Sequence, residues 1–332
     1  MAGRKPKKRA GTGRRQQGSS QGQGSGQARS RKATQGQSRK ATQGQSRKAT
    51  QGQSQGQSRK ATQGQSRKAT QGQSQGSRRR RPTKGLGGDQ IEGRQAVREL
   101  LLAGKRRIDE VIMIDDLAGA DVLEDIEELS HEFGVSLRKV SRRHMAAEAL
   151  TESHQGVIAR AAPVAEADLE RLMADPAAFL VVLDGITDPG NLGAILRTAE
   201  CAGVTGVILG RHRSVHLSPT VTKTAAGAVE HVPLALVGGI PTAISQLNDA
   251  DVFTVGLDGG GDRSIFELPQ LRSGPTALVL GAEGAGLSRL VRQRVSVLAS
   301  IPLAGQLNSL NVATATAVAC FEVVRARESP ID

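Results

Sequence analysis

The chain lacks tryptophan and tyrosine altogether, and the first of its five phenylalanines is Phe133. Its first 88 residues also lack aspartate and glutamate. Without aromatic rings the N-terminal quarter cannot stack on nucleic-acid bases, so any grip it has on RNA is electrostatic. Cysteine is scarce as well. Cys201 and Cys320 lie in apolar helical contexts with no pairing partner at short spacing, which predicts buried free thiols rather than a disulfide or a zinc site. The six histidines are scattered and none forms a ligand-spaced pair with a cysteine or carboxylate, so no metal is expected. No uninterrupted apolar run approaches the about 20 residues of a membrane span, and the basic N-terminus lacks the apolar core of a secretory signal. A cytoplasmic, reducing location is the expectation.

What is present is unevenly distributed. Residues 1–88 hold 23 Lys and Arg; from Asp89 onward the other 22 basic residues face all 32 acidic ones, a balance of −10. This is an acidic body carrying a basic arm. Within the arm the octapeptide SRKATQGQ recurs five times, beginning at Ser30, Ser38, Ser46, Ser58 and Ser66, and it is flanked by the basic clusters 4–9 and 78–81. No aliphatic side chain larger than alanine occurs in the repeat, so residues 1–85 have no face to bury and are expected to be disordered. Each copy carries an Arg-Lys pair without countercharge, which favours a flexible polycation that captures RNA over a merely solubilising tail.

Residues 86–162 read as a small α/β domain: a helix over 91–102, strands at 108–114, 135–140 and 156–160, and helices at 120–133 and 142–150. A polar stretch, 163–178, reads as a linker. From Phe179 the pattern is α/β, with five near-continuous apolar runs (FLVVL, VTGVIL, DVFTVGL, TALVLG, VSVLASI) of the kind buried on both faces of a parallel sheet. Helices are expected at 191–202, 219–228, 240–248, 287–292 and 309–327, giving one doubly wound domain over 179–332.

Three glycine-bearing loops follow strands in this region: LDGITDPGNLGAILR (183–197), LGAEGAGLSRL (280–290) and IPLAGQLNSLNV (301–312). Ligands of such sheets bind at the carboxyl ends of the strands. The second loop does not have G-x-G-x-x-G spacing, which argues against a dinucleotide fold and a nucleotide oxidoreductase. Taken singly, Asn191 or Ser309 reads as a helix cap, Asn311 as a first-turn residue, Arg197 as a solvated side chain and Glu283 as a loop-fixing acceptor of backbone N–H groups. The last helix is apolar around almost its whole circumference and needs covering, in part by a second subunit.

Together the three loops resemble the signature motifs of the SpoU (TrmH-type) RNA ribose 2′-O-methyltransferases, with Ala313 standing where the family usually has a small hydroxyl residue. The opening IEGRQAVRELL and closing SHQGVIAR of the small domain resemble, more faintly, the substrate-binding domain of RlmB-type members. The resemblance implies a parallel sheet of the SPOUT type with a C-terminal trefoil knot, a homodimer, and S-adenosylmethionine bound through Gly281, Ile301 and Leu310. It implies that Arg197, Asn191, Glu283, Ser309 and Asn311 form the catalytic set, acting on a guanosine of 23S ribosomal RNA. A tRNA 2′-O-methyltransferase and a non-catalytic RNA-binding or ribosome-assembly factor on the same fold are the alternatives. Retention of Arg197, Glu283, Ser309 and Asn311 argues against the last.

Overall fold

The computed structural model describes residues 86–115, 121–212 and 216–329. The basic repeats, with the disorder expected of them, lie outside the described residues. Two sheets organise the rest.

The first sheet is built from β1 (Gln90–Glu92), β2 (Ile108–Ile114), β3 (Leu137–Val140) and β4 (Val157–Ala161), in the order β1-β4-β2-β3. The pairs β1–β4 and β2–β4 are antiparallel and β2–β3 is parallel. Helices α1 (Arg94–Ala103) and α2 (Asp121–Glu132) pack Val97, Leu100, Leu123 and Ile126 against Val111, Met113 and Val157. On the other face, α3 (Arg142–Glu148) covers Ile112 and Ile158 with Met145. The helix expected from residue 91 instead begins at Arg94, because Ile91 pairs with Ala159 as a strand residue.

The polar stretch read as a linker contains α4 (Leu169–Met173), whose Leu169, Leu172 and Met173 pack on the second sheet. That sheet follows with β5 (Phe179–Asp184), α5 (Pro189–Cys201), β6 (Gly206–Gly210), α6 (Pro219–Thr224), β7 (Leu234–Val237), α7 (Ile240–Asp249), β8 (Phe253–Leu257) and β9 (Arg263–Ser264). It is completed by β10 (Thr276–Gly281), α8 (Arg289–Arg294), β11 (Val297–Ser300) and α9 (Val312–Glu328). The strand order is β7-β6-β5-β10-β8-β11-β9, and every neighbouring pair is parallel. Seven strands appear where five were expected. Both additions, β7 and β9, are edge strands of four and two residues.

Side-chain alternation along the central strands gives the sheet two apolar faces. Val181, Leu183, Leu278 and Leu280 meet α5 and α9 on one side; Leu180, Val182, Ala277 and Val279 meet α7 and α8 on the other. The last helix is less uniformly covered than its composition suggested. Val312, Thr316, Ala319, Cys320, Val323 and Ala326 are buried, but Phe321 is exposed. Both cysteines are free; Cys320 is buried, whereas Cys201 is exposed at the end of α5, contrary to the expectation of two buried thiols. Burial pushes the Cys320 thiol up to about 12.

Candidate active site

The three glycine-bearing loops leave the carboxyl ends of β5, β10 and β11, and their side chains meet at one amide. Asn311 is the N-cap of α9: its Oδ1 accepts the backbone N–H groups of Ala313 at 2.9 Å and Thr314 at 3.3 Å. With the oxygen so committed, the NH2 group faces the other way. It donates to Asn191 Oδ1 at 2.9 Å and to Glu283 Oε1 at 2.8 Å. The helix cap thus fixes the orientation of the amide, and the amide ties the first loop and the second loop to the third.

The simpler roles considered for these residues are redistributed. Asn191 is not the cap of α5; Asp188 is, accepting the N–H of Asn191 at 2.7 Å, and the Asn191 side chain is left for the junction. Ser309 is not the cap of α9, which begins three residues later than expected because Asn311 takes that position. Glu283 accepts from the Asn311 side chain. A further tie joins the first and second loops, where Asp184 Oδ2 accepts the N–H of Ser288 at 2.7 Å. The glycine at 281 is demanded by the loop itself: a Cβ there would fall 2.1 Å from the carbonyl carbon of Gly286, as the chain doubles back over residues 282–286.

Beside the junction lies a cavity of about 680 Å³, within the range of small-molecule sites. Gly281, Ile301 and Leu310 line it, as do Glu283, Ser309 and Asn311. Asn191 and Arg197 do not. Arg197 is an exposed residue of α5, six positions and so roughly 9 Å along the helix axis from Asn191. The cavity also has a wall that sequence reasoning passed over, the Leu257–Gly260 segment after β8. Its Asp258 accepts from Gly260 N–H at 2.9 Å and pairs with Arg292. The signal was available: an apolar strand running into Asp-Gly-Gly-Gly repeats the pattern of the other loops.

The lining suits S-adenosylmethionine. Leu280, Ala299, Ile301, Leu303, Leu310 and Val312 offer apolar surface for a flat base. Among the described residues the charged ones of the lining are Glu283 and Asp258, the latter paired with Arg292 outside the lining, and this acidic lining favours a ligand bearing sulfonium and ammonium charges.

The family model described as SpoU rRNA Methylase matches residues 178–321, and one described as RNA 2′-O ribose methyltransferase substrate binding matches residues 90–167. The 23S rRNA (guanosine-2′-O-)-methyltransferase RlmB of Shewanella oneidensis is 40% identical over 245 residues, which span 73% of this chain and 98% of that protein. The chain belongs to the SpoU rRNA methylase family. RlmB of Escherichia coli K12 is 39% identical over 243 residues, covering 72% of this chain and 99% of that protein. Among solved structures, the AdoMet-bound rRNA methyltransferase from Sinorhizobium meliloti matches this SpoU-family chain with a TM-score of 0.60 and 26% identity, over 72% of this chain and 88% of that one.

Proposed function

We propose that this SpoU-family enzyme methylates the ribose 2′-hydroxyl of a guanosine in 23S ribosomal RNA, in the cytoplasm. The observation that carries the reading is the junction of Asn191, Glu283 and Asn311 beside an acidic cavity of small-molecule size. The identity to two 23S rRNA guanosine methyltransferases selects the substrate. S-adenosylmethionine supplies an electrophilic methyl group when bound. Gly281, Ile301 and Leu310 hold it along the cavity wall.

A ribose hydroxyl is a weak nucleophile at neutral pH, so the protein must orient it and ease loss of its proton. A guanidinium has donors and no acceptor to offer a proton, so Arg197 serves as a cation rather than as a base. It binds the neighbouring phosphate and polarises the 2′-hydroxyl. Asn191 has its Oδ1 committed to Asn311, so its NH2 is the end that faces the RNA. Glu283 and Asn311 hold the second and third loops in register, and Ser309 supplies a hydroxyl at the cavity wall.

We assign residues 86–162 to RNA binding and 179–332 to catalysis, joined through 163–178. The segment from β11 to α9 threads as the family's trefoil knot. In support, the chain leaving β11 must pass back across β8 to bring Asn311 to the ends of β5 and β10. The exposed Phe321 on α9 supports a homodimer formed on that helix.

The test uses the full chain with methyl-labelled S-adenosylmethionine and separate 23S rRNA and tRNA transcripts, followed by ribose-methylation mapping. Label on a 23S guanosine is the expected result. Label on tRNA alone establishes the tRNA alternative, and cofactor binding without transfer to either RNA establishes the non-catalytic one.

A further inference from the structure

We propose that Arg94, His154 and Lys223 form a second RNA-contact cleft, at the seam between the two sheets, which grips the phosphodiester backbone flanking the methylated nucleotide. The proposal rests on the RNA-methylating reading above. The cleft has a volume of about 710 Å³, enough for a nucleotide. Arg94 begins α1, His154 precedes β4, and Lys223 comes from α6 of the other sheet, so the cleft exists only where the two halves meet.

Its donors have little else to do. The Arg94 Nε donates to Gln155 O at 3.2 Å, which leaves both terminal nitrogens of the guanidinium without a partner among the described residues. Lys223 has no acidic partner there either. Its stem lies against Gly93, with Cγ 3.2 Å from where a Cβ would stand. The His154 Nδ1 accepts the N–H of Gly156 at 2.9 Å. The proton of the neutral ring is therefore on Nε2, which is a donor.

The turn presenting these groups is held in a costly shape. Gln155 has φ 54 in the left-handed region, a conformation that is costly for a residue with a side chain. Its Oε1 accepts the N–H of Arg94 at 3.0 Å, which fixes the turn to the start of α1. Among the described residues Glu152 is the one carboxylate lining the cleft, and it is exposed; Arg142, also in the lining, is engaged in an interaction of its own. No aromatic side chain lines the cleft, so it offers charge and donors to phosphate and nothing to stack a base. Such contacts set register rather than sequence.

The cleft adjoins the reaction centre through two touching helices. A Cβ on Gly193 would fall 2.5 Å from Thr224 Cβ, so α6 is seated directly on α5 at that glycine. Thr224 is the neighbour of Lys223, and Gly193 lies between Asn191 and Arg197. An RNA strand whose phosphate meets Arg197 is thereby led across α6 to Lys223 and on to Arg94.

Two measurements on the full chain test this together. Lys223→Gln keeps the stem that packs on Gly93 and removes the charge. It should raise the KM for 23S rRNA roughly tenfold, the value of one charge-assisted hydrogen bond, with kcat and calorimetric affinity for S-adenosylmethionine unchanged. Lys223→Arg should restore the KM, and Arg94→Gln should behave like Lys223→Gln. Separately, saturating RNA should protect Lys223 from acetylation in a mass-spectrometric assay, while the cofactor alone should not. An unchanged KM, or an acetylation rate at Lys223 that RNA leaves unaltered, overturns the cleft. Failure of the wild-type enzyme to methylate either RNA would instead strike the functional reading, since protection is measured without turnover.

Discussion

Asn311 carries two duties that a single substitution can separate. Its oxygen caps α9 and its nitrogen joins Asn191 to Glu283. Asn311→Asp keeps an acceptor for the helix N-terminus, where negative charge is favourable, but loses both donated bonds and sets a carboxylate against Glu283. We expect thermal stability close to that of the wild type and methyl transfer reduced by roughly 10²-fold or more, the usual cost of disturbing a charge-organising contact. Asn311→Ala loses the cap as well, about 1 kcal/mol, and should show both defects. Calorimetry and single-turnover methylation distinguish the two variants. Arg197→Ala should cut turnover by ~10²–10³-fold while leaving calorimetric cofactor affinity intact, because Arg197 does not line the cavity. Retained turnover would remove Arg197 from the chemistry. Asn191, Glu283 and Asn311, which the structure brings to one junction, were each singled out in the sequence, whereas Arg197, singled out with them, stands apart from the junction and the cavity. The connections among the three were not legible, because a cap and a first-turn residue carry the same letters and only the helix start, at Val312, decides between them. Asp258 escaped notice for the same kind of reason: a strand followed by glycines is visible, but which such loops face one cavity is set by strand order.

At the level of elements, the long apolar strands were plain in the sequence because burial on both faces leaves no room for polar residues. TALVLG coincides with β10 to the residue. Short elements were not. The LALV strand (β7) and the three-residue β1 owe their existence to one neighbour each in the sheet order, and α4 presents only a few apolar side chains in a polar stretch. The two sheets are locked by a contact that no local pattern announces. Arg106 donates to the carbonyls of Gly88 and Ala162, each at 2.7 Å, and grips Glu230 through Nε at 2.9 Å and through a second nitrogen. Both side chains are nearly inaccessible. Removing one member of a buried pair strands the other charge, at a cost of roughly 3–5 kcal/mol. Denaturant titration should therefore show Arg106→Ala strongly destabilised, and the double variant with Glu230→Ala less so, since it leaves no buried carboxylate behind. A double variant as unstable as Arg106→Ala alone would mean that the carbonyl contacts, not the ion pair, dominate.

Over the whole molecule, charge is divided between an arm of 23 basic and no acidic residues and a body with a balance of −10. An acidic body repels RNA at long range, so the arm should govern capture. Log affinity falls with log salt by roughly 0.7–0.9 per phosphate engaged. Deleting residues 1–85 should weaken RNA binding at low salt and flatten that slope, while the methylated nucleotide stays the same; a moved modification site would assign the arm a part in recognition. The junction at Asn311 has a consequence for biosynthesis. Asn191, Glu283 and Asn311 lie on segments separated by most of the C-terminal half of the chain, and among the described residues the side chains of the first two have no other partner until Asn311 arrives. A product of premature termination before residue 311 lacks the amide that joins the first loop to the second. On the proposed assignment, such a product, or one that has lost α9 to proteolysis, should show no methyl transfer in the labelled-cofactor assay.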